Sequence, residues 1–106
     1  MTTRTLPEYP VVVPGVGPTR ARGMIIGEAP GRNEVREKVP FWEDGDSGVR
    51  LDKALCLAGT TRGKFFITNL FKGDVGTGNR DPRQREIRDH RGFLIQEMID
   101  VRPMVT

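Results

Sequence analysis

Two apolar segments, each followed by polar turn residues, predict two strands at the centre of this chain. The first covers residues 24–27 and consists of methionine and isoleucine leading into a glycine. The second covers residues 65–68 and consists of aromatic and β-branched side chains leading to Asn69. Short apolar segments bounded by turn residues are typical of buried strands.

Two other segments carry apolar residues at helical spacing. Ser47 is a candidate N-cap for a helix over residues 48–58, with Gly59 as its stop. Asp81, followed by a proline, predicts the start of a longer helix that runs to about residue 100. The positions predicted to face the core are Val49, Leu51, Leu55 and Ala58 in the first helix and Ile87, Leu94, Ile95, Met98 and Ile99 in the second.

The order strand, helix, strand, helix predicts an α/β protein with a parallel sheet covered by helices. Residues 1–23 are rich in proline and glycine, which favours an extended arm, with residues 11–13 as a candidate edge strand. Residues 32–38 are charged and are compatible with either a short helix or a loop. We therefore expect an arm over residues 1–23 and one domain over residues 24–106.

Composition narrows the class of protein. The chain has 106 residues, 36% hydrophobic and 29% charged, as expected of one small globular domain. The formal net charge is +3, and most of the basic residues are arginine, which favours planar contacts to phosphates or bases. We expect a cytoplasmic protein, because neither a membrane-spanning run nor a secretion signal is recognisable.

Polar side chains follow both predicted strands. Glu28 comes directly after the first strand, and Asn69 ends the second. Because the carboxyl ends of parallel strands lie at one edge of a sheet, where ligands bind in open α/β folds, we expect a site there. Each residue also has a structural alternative, since Glu28 or Asn69 could simply cap the adjacent turn or helix.

Further motifs follow in order along the chain. The set is Gly27-Glu28-Ala29-Pro30-Gly31, Pro40-Phe41, Ile67-Thr68-Asn69, Asn79-Arg80-x-Pro82, Glu86-Ile87 and Phe93-Leu94. It resembles the uracil-DNA glycosylase superfamily over about residues 24–106, and most closely the branch whose typical members carry an iron–sulfur cluster. The glycine motif alone is weak, because it lacks both the Lys-Ser/Thr of a P-loop and the glycine spacing of a dinucleotide turn.

The resemblance implies a three-layer αβα fold and an enzyme that hydrolyses the N-glycosidic bond of a uracil flipped out of DNA. Glu28 matches the carboxylate that orients a water and offsets positive charge on the sugar. Phe41 matches the aromatic ring on which the base stacks, and Asn69 matches the amide that reads the base edge. The resemblance also implies that Gly27, Ala29 and Pro30 line the pocket, and we expect Arg80 and Arg83 to contact the DNA.

The sequence departs from this branch at the cluster ligands. The only cysteine is Cys56, which we expect to be a small core residue. Gly73 and His90 stand at the two later ligand positions. Because such a cluster takes four thiolates, we expect no iron–sulfur cluster, no metal and no other cofactor.

The family's C-terminal His-Pro-Ser motif and the later strands have no counterpart before Thr106. We therefore expect an incomplete fold with a short parallel sheet, truncated and impaired unless a second chain or self-association completes it. Two alternatives stay open: a non-catalytic remnant that binds single-stranded or uracil-containing DNA, and a small Rossmann-like nucleotide or phosphate binder.

Overall fold

Two parallel strands form the centre of the computed structural model, which describes residues 11–75 and 81–103. Strand β1 (Gly23–Gly27) pairs with β2 (Phe65–Asn69), and Gly27 lies opposite Asn69. Both strands are where the apolar segments predicted them. The α/β class with a short parallel sheet is therefore confirmed.

Three α-helices accompany the sheet. They are α1 (Arg32–Glu37), α2 (Asp46–Leu57) and α3 (Gln84–Val101), and a 3-10 turn (Arg62–Lys64) precedes β2. The segment that was compatible with a helix or a loop is thus a short helix. Over residues 11–75 and 81–103, none of the helices combines the length and the apolar character that crossing a bilayer requires.

Both longer helices begin at residues other than those predicted. Helix α2 begins before Ser47, which lies in its first turn, and the N-cap is Gly45. Helix α3 begins after Arg83, whose backbone N–H donates to Glu86 Oε1 at 2.7 Å. The carboxylate of Glu86 satisfies this donor at the helix start. Because the N-cap is Arg83, Asp81 precedes the helix and does not cap it.

Alternate side chains of β2 face opposite sides of the sheet, as strand geometry requires. Phe66 packs with Leu94 of α3 against a buried cluster formed by Ala21, Met24 and Val101. On the other side, Phe65 and Ile67 line a groove together with Trp42. The sheet therefore lies between α3 and the chain that connects α1 to α2.

The described part of the predicted arm lies along the outer edge of β2. Val16 forms an antiparallel bridge with Ile67, with both N–H···O distances 2.8 Å. The backbone N–H groups of Val12 and Val13 both donate to the carbonyl of Lys72, and Val13 is fully buried. This segment contains bends at residues 12–13 and a turn at residues 19–20, so the candidate edge strand over residues 11–13 does not form. The segment is nevertheless hydrogen-bonded to the sheet.

The predicted buried face of α3 is wrong in part. Ile95, Met98 and Ile99 are exposed, whereas the polar residues Glu86 and His90 are fully or almost fully buried. His90 Nδ1 accepts the N–H of Lys72, and Glu97 forms an ion pair with the Lys72 ammonium group, so these polar contacts turn this side of α3 toward the chain after β2.

The predicted inner face of α2 is also wrong in part. Val49 and Ala58 are exposed, Leu51 and Leu55 are only half-buried, and Cys56 is exposed rather than in the core. The buried residue of α2 is Gly48. The closest approach of α2 to the rest of the described chain is therefore at its first turn, and Asp52 in its second turn forms an ion pair with Arg62 at 2.7 Å.

Gly48 allows α2 to approach the backbone of residues 41–42. A Cβ atom at position 48 would overlap the carbonyl oxygen of Trp42 and would lie 2.6 Å from that of Phe41. Backbone atoms cannot move aside as the end of a flexible side chain can. This contact therefore fixes the backbone of residues 41–42, which carries the Phe41 ring.

We expect Gly48→Ala to lower the free energy of unfolding by about 1–3 kcal/mol, because the added methyl overpacks a backbone contact. The matched control is Gly92→Ala in α3, where a Cβ would meet no atom within 4 Å. That variant should be about 1 kcal/mol more stable, through helix propensity. Urea denaturation measures both, and equal changes would contradict the contact.

Candidate functional site

Hydrogen bonds continue between the two strands beyond their last residues. The N–H of Leu70 donates to the carbonyl of Gly27 at 2.8 Å, and that of Phe71 donates to the carbonyl of Glu28 at 2.9 Å. The loop after β1 is therefore held against the chain that leaves β2. This pairing brings Glu28 and Asn69 to the same edge of the sheet.

Gly27 makes room for two side chains at this edge. A Cβ atom on Gly27 would overlap Asn69 Oδ1 and would lie 2.8 Å from Cζ of Phe41. Phe41 itself has φ +50, a left-handed conformation that costs a non-glycine residue roughly 1–3 kcal/mol. Strain of this kind persists only where the surrounding structure holds it. The amide and the ring thus both lie against one glycine.

These residues surround a cavity of about 170 Å³. Its lining includes every pocket residue that the sequence predicted, namely Gly27, Glu28, Ala29, Pro30, Phe41 and Asn69. Asn69 is buried and Phe41 half-buried, whereas Glu28 is exposed. The cavity is smaller than the roughly 300–1,000 Å³ of pockets for drug-sized ligands, so it suits a single small ring.

Two residues of this cavity were not predicted as site residues. Glu34 belongs to α1, and its Oε1 accepts the N–H of Gly31 at 3.0 Å. Ser47, expected only as a helix cap, lines the cavity from the first turn of α2. The signal for Glu34 was its spacing, because a glutamate three residues after a helix N-cap commonly turns back toward it.

A wider cleft of about 570 Å³ adjoins the cavity and shares Glu28 and Ser47 with it. Asp81 and Pro82 form part of its wall. Arg83 is exposed beside them but does not line the cleft. Arg80, the other residue expected to contact DNA, lies outside the described residues.

A buried lysine lies behind Asn69. The Lys72 side chain is 2% exposed, and its ammonium group donates to Thr68 Oγ1 at 2.7 Å and to the carbonyl of Asn69. It also forms an ion pair with Glu97 Oε1 of α3 at 2.7 Å, and the same oxygen accepts the Thr68 hydroxyl at 2.9 Å. This network connects the end of β2 to α3.

Burial lowers the pKa of Lys72 from its ordinary value of 10.5. The hydrogen bond and the negative charge of Glu97 act in the opposite direction and offset part of that effect. The network was not predicted, because a lysine after a strand is usually exposed and the sequence offers no separate signal of its burial.

The two positions matched to cluster ligands do not fit a cluster. Gly73 offers no ligand atom, and a Cβ there would lie 2.6 Å from Cζ of Phe71. His90 is fully buried, and its Nδ1 accepts the N–H of Lys72 at 2.9 Å. Its ring centroid lies 4.6 Å from that of Phe71 and 5.4 Å from that of Phe93. In residues 11–75 and 81–103, no group of three or more potential ligands could hold a metal ion.

Comparison of the sequence with models of known protein families identifies the family of this chain. The sequence model of the Uracil DNA glycosylase superfamily matches residues 14–106, which is most of the chain. The chain belongs to this superfamily. The matched region begins within the segment that lies along β2, so the superfamily match includes part of the sequence that the amino-acid pattern assigned to an arm.

Curated relatives agree with the family assignment. The chain is 37% identical over 93 residues to a type-4 uracil-DNA glycosylase of Archaeoglobus fulgidus, covering 88% of this chain and 45% of the relative. It is 38% identical over 91 residues to that of Pyrobaculum aerophilum, covering 86% and 45%, and 39% identical over 94 residues to that of Saccharolobus solfataricus, covering 88% and 42%. This superfamily member therefore spans less than half the length of these relatives.

We expect the free energy of unfolding to rise relative to that of Lys72→Met as the pH increases toward 10.5. Because the pKa of Lys72 is lowered on folding, the unfolded chain binds more protons than the folded chain between the folded-state pKa and 10.5. Stability should therefore increase with pH across this window. Urea titrations of both proteins at several pH values measure the difference. A difference that falls with pH would mean that Glu97 outweighs burial.

Proposed function

We propose that this chain carries the base-binding half of a uracil-DNA glycosylase, which hydrolyses the N-glycosidic bond of a uracil flipped out of DNA. The observation that carries the proposal is the shared cavity, about 170 Å³ in volume, lined by Glu28, Phe41 and Asn69. Superfamily membership supports the reaction class. Such enzymes cannot reach the glycosidic bond inside the duplex, so the nucleotide leaves the base stack and the base enters a pocket of this kind.

Glu28 is the proposed catalytic residue. Its side chain is exposed at the cavity and can contact both water and the sugar of an entering nucleotide. The sugar gains positive charge as the bond to the base breaks. A carboxylate there would stabilise that charge and orient the attacking water.

Phe41 and Asn69 are the proposed base-binding residues. A phenyl face stacks on any base and so gives affinity without identity. The Asn69 amide can accept the N3–H of uracil and donate to O4, a pattern that cytosine does not offer. Gly27, Ala29 and Pro30 complete the cavity beside them, and we infer that they set how deeply the base enters.

The departing base carries negative charge and needs a hydrogen-bond donor. The sole histidine, His90, is fully buried against Phe71 and Phe93, away from the cavity lining. Loss of one preorganised donor typically lowers the rate by about 100- to 1,000-fold. In residues 11–75 and 81–103 the cavity lining includes no histidine. We propose that the donor, and further strands of the sheet, come from polypeptide outside these residues, such as a second chain or a second copy, and that the rate without it is low.

DNA is the proposed partner, in uracil-containing or single-stranded form. The cleft that adjoins the cavity provides an open approach, and Arg83 is exposed near its wall. With Arg80 it is proposed to contact phosphates, which gives salt-dependent affinity. A DNA substrate is consistent with the cytoplasmic location expected from the sequence.

We expect release of free uracil from a labelled single-stranded oligonucleotide, slow with this chain alone. Addition of the C-terminal half of a type-4 relative as a separate polypeptide should accelerate it. Glu28→Gln should lower the accelerated rate by about 100-fold or more, because it removes the charge but keeps the shape. Chromatography of the released base measures each rate.

The control variant is Asp44→Asn, an exposed change of the same kind that does not line the cavity. It should leave the rate unchanged. Salt-dependent binding without release in either arm would replace the enzyme by the non-catalytic DNA-binding alternative. An absence of both binding and release would count against any role in DNA.

We also propose that the protein functions without an iron–sulfur cluster, since Gly73 and His90 do not fit its ligation. Anaerobic reconstitution with ferrous iron and sulfide is expected to leave the protein colourless and free of bound iron. Elemental analysis after gel filtration measures the metal content. A stoichiometric [4Fe–4S] cluster per chain would contradict this proposal.

A further inference from the structure

We propose that Lys72 is a positioning residue for base recognition, which fixes the strand end that carries Asn69 in its pocket. The inference rests on the proposed function, because it assigns a role to Asn69 in reading a pyrimidine. Lys72 itself does not line the cavity and would act only through its neighbour.

The backbone of Lys72 is held on two sides. Its N–H donates to His90 Nδ1 at 2.9 Å, which ties it to α3. Its carbonyl accepts the N–H groups of Val12 and Val13, at 2.8 and 2.9 Å, from the N-terminal segment. The root of the lysine side chain therefore has little freedom to move.

From this fixed backbone, the Lys72 side chain extends toward β2, where its ammonium group lies. Its three donors have three acceptors: Thr68 Oγ1, the carbonyl of Asn69 and Glu97 Oε1. An ammonium has no further hydrogen to offer, so the group is fully satisfied. Glu97 is fixed in turn, because its Oε2 accepts the N–H of Gly15 at 3.1 Å.

Asn69 is consequently held through its backbone from two directions. The peptide that follows it is fixed by the Leu70 N–H bond to Gly27, and its own carbonyl is fixed by Lys72. The amide side chain lies in the cavity lining, where its Oδ1 and the Phe41 ring occupy the side-chain space of Gly27. A buried charge is a costly device for simple packing, and a role in fixing one orientation accounts for it here.

The test compares Lys72→Met, which keeps chain length and removes all three donors, with Lys72→Arg and with the exposed control Lys53→Met. The first readout is the side-chain amide signal of Asn69 in ¹⁵N–¹H spectra, assigned by its loss in Asn69→Ala. We expect Lys72→Met to shift it and lower its heteronuclear NOE, and Lys53→Met to leave it unchanged. Lys72→Arg should restore most of the order.

The second readout is uracil release in two backgrounds, with the complementing polypeptide present. Lys72→Met should lower kcat/KM by about 10-fold when Asn69 is present and by less than about 2-fold in Asn69→Ala, because coupled residues are not additive. A merely structural lysine would give equal losses in both backgrounds. Equal losses, or an unchanged Asn69 signal, would overturn the proposal.

A further variant covers loss of folding. Lys72→Met leaves the partly buried Glu97 without its cation, so Lys72→Met/Glu97→Met removes both charges together and should fold better. It should show the same disordered Asn69 amide. If no variant releases uracil but the amide responds as expected, the proposed function fails while the positioning role stands.

Discussion

The pairing of β1 with β2, continued beyond their last residues, is the constraint on which the candidate site depends. In a parallel pair, the carboxyl ends of both strands reach one edge. Here the bonds from Leu70 to Gly27 and from Phe71 to Glu28 carry the pairing into the two loops. Glu28 and Asn69 therefore line one cavity although about forty residues separate them along the chain. A glycine at the last position of β1 is required because the Asn69 amide and the Phe41 ring occupy its side-chain space.

Glycines and charged groups carry much of the tertiary structure in this short chain. Gly48 brings α2 onto the chain that supports Phe41. On the other face of the sheet, the ion pair of Lys72 and Glu97 connects β2 to α3. Burial of such a pair contributes less stability than well-packed apolar side chains would, but it allows few alternative arrangements.

Superfamily membership and the local geometry bear on different questions. The family match establishes descent and explains why the ordered motifs occur together. The geometry indicates what this chain can do at each motif. At the positions matched to cluster ligands, a glycine and a buried histidine pack with Phe71 and Phe93. The small cavity, by contrast, is lined by a carboxylate, an aromatic ring and an amide.

The sequence by itself determined the strands and the residues at their carboxyl ends, because local apolar patterns and turn residues are short-range properties. It also indicated the family through motifs in order. Only the tertiary structure decided which faces of the helices are buried: Ile95 and Ile99 of α3 are exposed, and Cys56 of α2 is not in the core. The burial of Lys72 and the docking of the N-terminal segment on β2 were decided there as well. These features depend on partners distant in sequence, whose hydrogen bonds and ion pairs outweigh the local periodicity from which a helix face is predicted.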